Sequence, residues 1–255
     1  MSELSISTVF QNGKTVMSDC FFTSPFKIAK PFYRDNGYTE VMVMCASPGI
    51  LAGDKYDMRF DLSDNTKTII SEQSYRKLYN TDDSFSRQNT QIHAGENAAL
   101  YYVPYPVIPF AGSRFRSRTD IFLSPSSKFI FGEIFTCGRD GMGERFAFSE
   151  YSSRTTVYVD DKPVFLDNSR LFGGGAVKDC DADFSGTGFF EGYSCQGILF
   201  LYGFDNISLP ESEGIETAVS KSSVGFTVRA LGKSANNLYR LFNSFGNYLE
   251  TSSRL

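Results

Sequence analysis

RSRTDIFL at 116–123 and KFIFGEIF at 128–135, separated only by SPSS, decide the fold. Both runs carry β-branched and aromatic residues at strand spacing. The pattern recurs on either side, in EVMVMCA (40–46), KYDMRFDL (55–62), KTIIS (67–71), ALYYVPY (99–105), RTTVYVDDKPVFL (154–166) and GILFLYGF (197–204). Turn signals separate the runs: Asp64-Asn65, Asp161-Lys162-Pro163 and the triplet Gly173 to Gly175. This reads as a mainly β chain of many short strands, with turns of the kind an antiparallel meander needs. One helix stands out near the end, where Leu238, Leu241, Phe242, Phe245, Tyr248 and Leu249 follow the three-and-four spacing of a single stripe. Ser234 is placed to cap it, and Gly246 falls inside it.

Composition narrows the class. Hydrophobic residues make up 41% and charged residues 21% of 255 residues, the profile of a folded globular chain, read here as one domain spanning 1–255. The 25 Phe and 14 Tyr suit pleated surfaces. A net charge of -4 supplies no broad positive field for nucleic acid. No apolar stretch reaches the roughly 18 to 20 residues that cross a bilayer, and ALYYVPYPVIPF (99–110) is broken by three prolines. The opening MSELSISTVF lacks the basic flank and apolar run of a secretory signal, so the expected location is the cytoplasm. Cys20, Cys45, Cys137, Cys180 and Cys195 are odd in number and widely spaced, which suggests reduced thiols rather than a disulfide framework or zinc knuckle.

The residues offer little for catalysis. His93 is the single histidine, beside an expected turn in QIHAGENA, and no G-x-S-x-G elbow accompanies it. Gly13-Lys14-Thr15 lacks the glycine spacing of a phosphate loop, and GRDGMGE (138–144) reads as a glycine turn between strands. Arg114, Arg116 and Arg118 share one face of a strand, either as a solvated surface or as a patch for an acidic partner. Asp54, Glu72, Glu133, Asp140 and Glu144 are isolated acids in otherwise apolar or glycine-rich segments. They are either hydrogen-bonded surface carboxylates or parts of an interior polar path.

Several motifs together carry a family resemblance. SPGILAGD (47–54) resembles the Ser-Pro-Gly-Gly and Gly-Asp signature of the UreD (UreH) family of urease accessory proteins, with Ile50 where many members have a second glycine. SEQSYRKLYN (71–80), GENAALYYVPYPVIPF (95–110), GRDGMGERFAF (138–148) and VRALGKS (228–234) follow in the family's order. Through FFTSPFKIAKPFY (21–33) the likeness is to the UreH proteins of Helicobacter-type bacteria in particular. The resemblance implies wound, layered sheets with a small helical element, and no enzymatic activity. It implies binding to apo-urease and to the accessory protein UreF, which recruits the nickel-carrying GTPase UreG. It also implies a passage for nickel, with Asp54, Glu72, Glu133 and Glu144 as transient ligands and Ser71, Gln73 and Arg139 as supports. The terminal stripe of Leu238, Leu241, Phe242 and Phe245 is then either a candidate docking face for UreF or, in the commoner use of such a helix, part of the chain's own core. No cofactor is expected to stay bound. Imidazole and thiolate hold first-row divalent ions tightly, whereas carboxylate and water hold them weakly, so a chain with one histidine suits transfer better than storage. The rival expectation is an adaptor that opens urease without conducting the ion.

Overall fold

The computed structural model describes residues 1–174, 184, 186, 188–210 and 212–251. Strands β1 (Ser2–Gln11) and β2 (Lys14–Phe22) form a hairpin, followed by β3 (Phe26–Ile28), β4 (Phe32–Tyr33) and β5 (Thr39–Cys45). The middle of the chain contributes β6 (Lys55–Leu62), β7 (Lys67–Glu72), β8 (Arg76–Leu78), β9 (Ser86–Ala94) and β10 (Ala99–Tyr102). It continues through β11 (Val107–Pro109), β12 (Arg114–Leu123), β13 (Lys128–Thr136) and β14 (Glu150–Val159). Then come β15 (Lys162–Leu171), β16 (Cys195–Tyr202), β17 (Ile215–Ser222), β18 (Gly225–Gly232), and helices α1 (Ala235–Ser244) and α2 (Gly246–Thr251).

Two sheets face each other. One runs β15-β14-β12-β9-β6-β1-β2; the other has β17-β18-β16-β13-β10-β7-β5-β3 as its main path. The expected antiparallel meander is corrected here. From β5 to β14 the longer strands alternate between the sheets, so β6, β9, β12 and β14 are parallel neighbours in one, and β5, β7, β10 and β13 in the other. Parallel neighbours cannot be joined by a tight turn. Here the crossover is a strand of the opposite sheet, and the chain winds. Asp64-Asn65, with Asn65 at φ 63°, therefore turns the chain between sheets instead of back along one. Local turn chemistry is the same for both outcomes, which is why the residues suggested a meander. A true hairpin joins β14 to β15, but its turn residues are Asp160 and Asp161, both left-handed. Lys162 and Pro163 already belong to β15, where proline is tolerated because β15 is an edge strand. Gly173 and Gly174 follow β15; Gly175 lies outside the described residues.

Side chains sort by strand alternation into two cores. Between the sheets, Ile6, Phe60, Ile92, Ile121 and Val157 meet Val41, Ile70, Leu100, Phe129 and Phe200. On the far side of the second sheet, Ile130, Ile134, Leu199 and Val228 pack under the helices. The helical stripe fills this second core: Leu238, Leu241, Phe242 and Phe245 are each 4% exposed or less. Those four side chains are therefore interior residues of this chain, not a surface awaiting UreF. Ser234 Oγ accepts from the Asn237 amide at 3.3 Å, as its capping position suggested.

The single expected helix is interrupted. α1 ends at Ser244 and α2 starts at Gly246, where the ring of Tyr101 lies 3.6 Å from the site a Cβ would occupy. Two tyrosines tie the helices to the body of the chain: Tyr101 Oη donates to Asn243 Oδ1 at 2.6 Å, and Tyr38 Oη donates to Leu249 O, one of the carbonyls a helix end leaves without an intrahelical partner, at 3.1 Å. Among the described residues no helix is long and apolar enough to cross a membrane.

Candidate functional site

The motifs that are far apart in sequence meet at one end of the sandwich. Ile50 bridges to Leu78, with its amide donating to Lys77 O at 2.8 Å. A Cβ on Gly49 would lie 2.5 Å from that same carbonyl, so glycine is what lets the 47–54 loop lie against β8. β8 pairs with β11, β11 with β13, and the 138–144 turn folds back so that the Ala111 amide donates to Glu144 Oε2 at 3.3 Å. Within this end, Asp54 accepts from the Leu51 amide (2.8 Å) and from Tyr56 Oη (3.1 Å), closing its own loop. Glu144 forms a two-point ion pair with Arg139, whose guanidinium lies 4.2 Å from the centre of the Phe110 ring. Hydrogen bonds from Arg139 hold the Glu144 carboxyl below its ordinary range. Asp140 is exposed and pairs with Arg145 and Ser194.

Two polar groups occupy the space between the sheets. In β13, Phe129, Phe131 and Phe135 point toward the first sheet, and Glu133 falls in the same phase. A carboxylate thus stands in a row of core phenylalanines. It accepts from Ser153 Oγ (3.0 and 3.2 Å) and Thr155 Oγ1 (3.1 Å), both from β14 across the gap. Among the described residues no cation lies within ion-pairing distance of it. It borders a cavity of about 380 Å³ shared with Tyr151, Asp167, Gln196 and Arg229. Arg229 on β18 reaches Asp167 on β15 at 3.0 Å, linking the edge strand of the first sheet to the second strand of the other across this cavity. Burial pushes the Glu133 carboxyl up from its ordinary value, against the two hydroxyl donors that favour its charged form.

The second group is closed on itself. Glu72 pairs at two points with Arg76, Tyr102 Oη donates to Glu72 Oε1 at 2.9 Å, and Arg76 donates to Tyr102 Oη at 2.9 Å. Burial pushes the Tyr102 phenol up, and Glu72 beside it pushes further. A cavity of about 380 Å³ adjoins this triad, bordered by Cys45, Tyr56 and Gln88, with Gln73 at its exposed rim. Ser71, one residue before Glu72, points to the opposite face of β7 and donates to Glu40 Oε1 at 2.7 Å.

The seven residues of the expected passage thus fall into four places. Asp54, Arg139 and Glu144 brace the loop end; Glu72 and Gln73 border one cavity and Glu133 the other; Ser71 lies on the helix side. Arg76, Tyr102, Asp167 and Arg229 were not singled out by sequence reasoning. Arg76, Tyr102 and Arg229 do sit inside the family motifs, whereas nothing local marks Asp167. His93 lies near the end of β9, two residues before the Gly95–Ala98 turn, stacked 4.7 Å from Phe122 on the outer face of the first sheet. Burial lowers its imidazole from the ordinary value. Cys20, Cys45, Cys137 and Cys195 are free; Cys180 is outside the described residues. Among the described residues no three of His, Cys, Asp and Glu are grouped to hold a metal ion.

A stability consequence follows at Glu133. Because its folded-state value is raised, the folded chain binds the proton more tightly, and this contribution is fully present below the ordinary glutamate value and lost as pH rises through the raised one. Glu133→Gln is therefore expected to raise Tm at neutral pH by about 2–4 °C, the shift that ~1 kcal/mol makes in a chain of this size. Thermal melts across pH should show the gap closing as pH falls toward the ordinary glutamate range.

Fold and interior together define a class: a wound β-sandwich with a helical cap and a polar cavity between its sheets. The chain matches the UreD urease accessory protein family over residues 1–253. It is 34% identical to the urease accessory protein UreH of Helicobacter pylori strain P12, over 94% of this chain and 91% of that protein. It is 35% identical to the urease accessory protein UreD of Acetivibrio thermocellus, over 97% of each, and 30% identical to that of Flavobacterium johnsoniae, over 95% and 90%. The chain belongs to the UreD family of urease accessory proteins.

Proposed function

We propose that this chain is a non-enzymatic cytoplasmic scaffold that binds apo-urease with UreF and UreG, and that nickel on its way to urease passes the Glu133 cavity. The observation that carries this reading is the setting of the Glu133 carboxylate, between the sheets with two hydroxyl donors and, among the described residues, no counter-ion. A passing divalent cation supplies the countercharge that burial withholds, and displaces the proton that the raised carboxyl favours. Oxygen ligands hold first-row ions weakly enough to release them. Glu72 is different in kind, since Arg76 already neutralises it. Asp54 and Glu144 support the loop end on this reading, with Arg139 holding Glu144. GTP hydrolysis belongs to UreG.

The adaptor reading, in which urease is opened and no ion enters this subunit, draws support from the internal bonding of Asp54, Glu72 and Glu144. Anomalous diffraction at the nickel edge from the assembled, nickel-loaded complex separates the two. The proposal expects a nickel peak beside Glu133, between the sheets. Peaks only in the partners, with the cavity free of nickel, favour the adaptor.

A further inference from the structure

We propose that the outer face of the seven-stranded sheet docks an acidic segment of a partner protein, through a cationic row of Lys55, Arg87, Arg116 and Arg170 with Arg154 beside it. Strand register builds the row. Lys55 lies opposite Arg87, Arg87 opposite Arg116, Arg116 opposite Ser152, and Ser152 opposite Arg170. One step along the strands, Arg118 lies opposite Arg154. Neighbouring strands are only about 4.8 Å apart, and like charges placed directly opposite one another destabilise a sheet. Folding alone asks only for polar residues at these outward positions, so repeated like-charge pairs require another reason.

The face is undercompensated. Glu150 is shared by Arg116 at 3.0 Å and Arg170 at 3.5 Å, and Asp120 is taken by Arg118 at 2.6 Å. Lys55, Arg87 and Arg154 are exposed, and among the described residues none of them forms an ion pair. Aromatic rings hold the guanidinium groups in position: Arg87 and Arg116 lie 4.8 and 4.9 Å from the centre of the Phe85 ring, and Arg170 lies 4.8 Å from that of the exposed Phe172. Arginine seated on an aromatic ring is preorganised for carboxylate and is the composition of a protein interface centre. Nucleic acid fits less well, because the whole chain carries a charge of -4 and Asp57, Asp120 and Glu150 punctuate the same face. Glu133 lies on the other side of this sheet, in the gap, so the two surfaces are separate.

The test uses the full chain and a fluorescein-labelled peptide of alternating Glu and Asp, read by anisotropy, with oligothymidylate of equal charge as the comparison. The parent is expected to bind the peptide more tightly than the oligonucleotide, with affinity falling as salt rises from about 0.05 to 0.3 M. The triple variant Lys55→Gln/Arg87→Gln/Arg154→Gln should bind the peptide about tenfold more weakly or worse, with Tm unchanged or raised as repulsion is relieved. A control with the same loss of charge elsewhere, Lys27→Gln/Lys30→Gln/Lys233→Gln, should bind within about twofold of the parent. If the triple variant does not fold, Lys55→Gln and Arg154→Gln alone are each expected to weaken binding about threefold. Absence of peptide binding by the parent, equal loss in the control, no loss in the folded variants, or tighter binding of oligothymidylate each overturns the proposal.

Discussion

Replacing Phe242 with alanine is expected to destabilise the chain by about 3–5 kcal/mol, the range for emptying a fully buried aromatic site. Phe242 is 0% exposed, and its ring lies where Gly132 and Gly197 leave room on the second sheet. A Cβ on Gly197 would fall 2.7 Å from the ring, so the two glycines and the ring form one packing unit. Collapse of the sheet into the hole is resisted by its backbone pairing, which leaves a true cavity and its full cost. Urea unfolding followed by circular dichroism reads this as a lower midpoint. An outward-facing stripe waiting for UreF predicts the opposite result, a change near zero in stability together with lost partner binding. The same packing implies that a chain lacking residues 235–255 does not fold, since Leu238, Leu241, Phe245 and Leu249 leave the second core with it.

A loss of similar size is expected from Arg76→Met, about 3–5 kcal/mol, because it leaves the Glu72 carboxylate buried with its ion partner removed. Glu72 is 9% exposed, and besides Arg76 its carboxylate accepts from Tyr102 Oη alone among the described residues, so loss of the guanidinium leaves the charge with a single donor. The informative comparison is the double variant Glu72→Leu/Arg76→Met. Replacing both members with apolar side chains of similar size removes the uncompensated charge, and often costs little. Recovery of most of the lost stability in the double variant, measured by the same unfolding curves, identifies the stranded carboxylate as the source. If the double variant is as unstable as the single one, Arg76 acts through its packing against the sheet instead.

How far the sequence disclosed this molecule differs from segment to segment. KFIFGEIF already contains the key to the interior: alternation places Glu133 in phase with Phe129, Phe131 and Phe135, so one carboxylate belongs to a core row. What faces it was not readable. Ser153 and Thr155 lie in RTTVYV and the residue before it, some twenty positions on, and only the parallel winding brings β14 opposite β13. Strand periodicity fixes which face a residue takes but not which strand lies beside it, and that is why an antiparallel meander and a wound parallel sandwich looked alike. The helix was legible for a related reason, since its signal is local. Its stripe, however, has the same pattern whether it packs on the chain's own sheet or on a partner. Asp167 and Arg229 meet only because β15 and β18 of opposite sheets close over one cavity, a relation with no local signature.

Glu133→Gln in the reconstituted assembly of apo-urease, UreF, UreG and this chain provides the most direct measurement. The amide keeps the size of the side chain and can still accept from Ser153 and Thr155, but loses the charge. Two quantities are read on the same preparation: the amount of complex recovered, and the nickel content of the urease released after activation. A carboxylate that carries passing nickel gives full recovery of complex with reduced nickel in urease. Nickel loading equal to the parent's, or a fall in nickel only in proportion to lost complex, contradicts a transport role for Glu133.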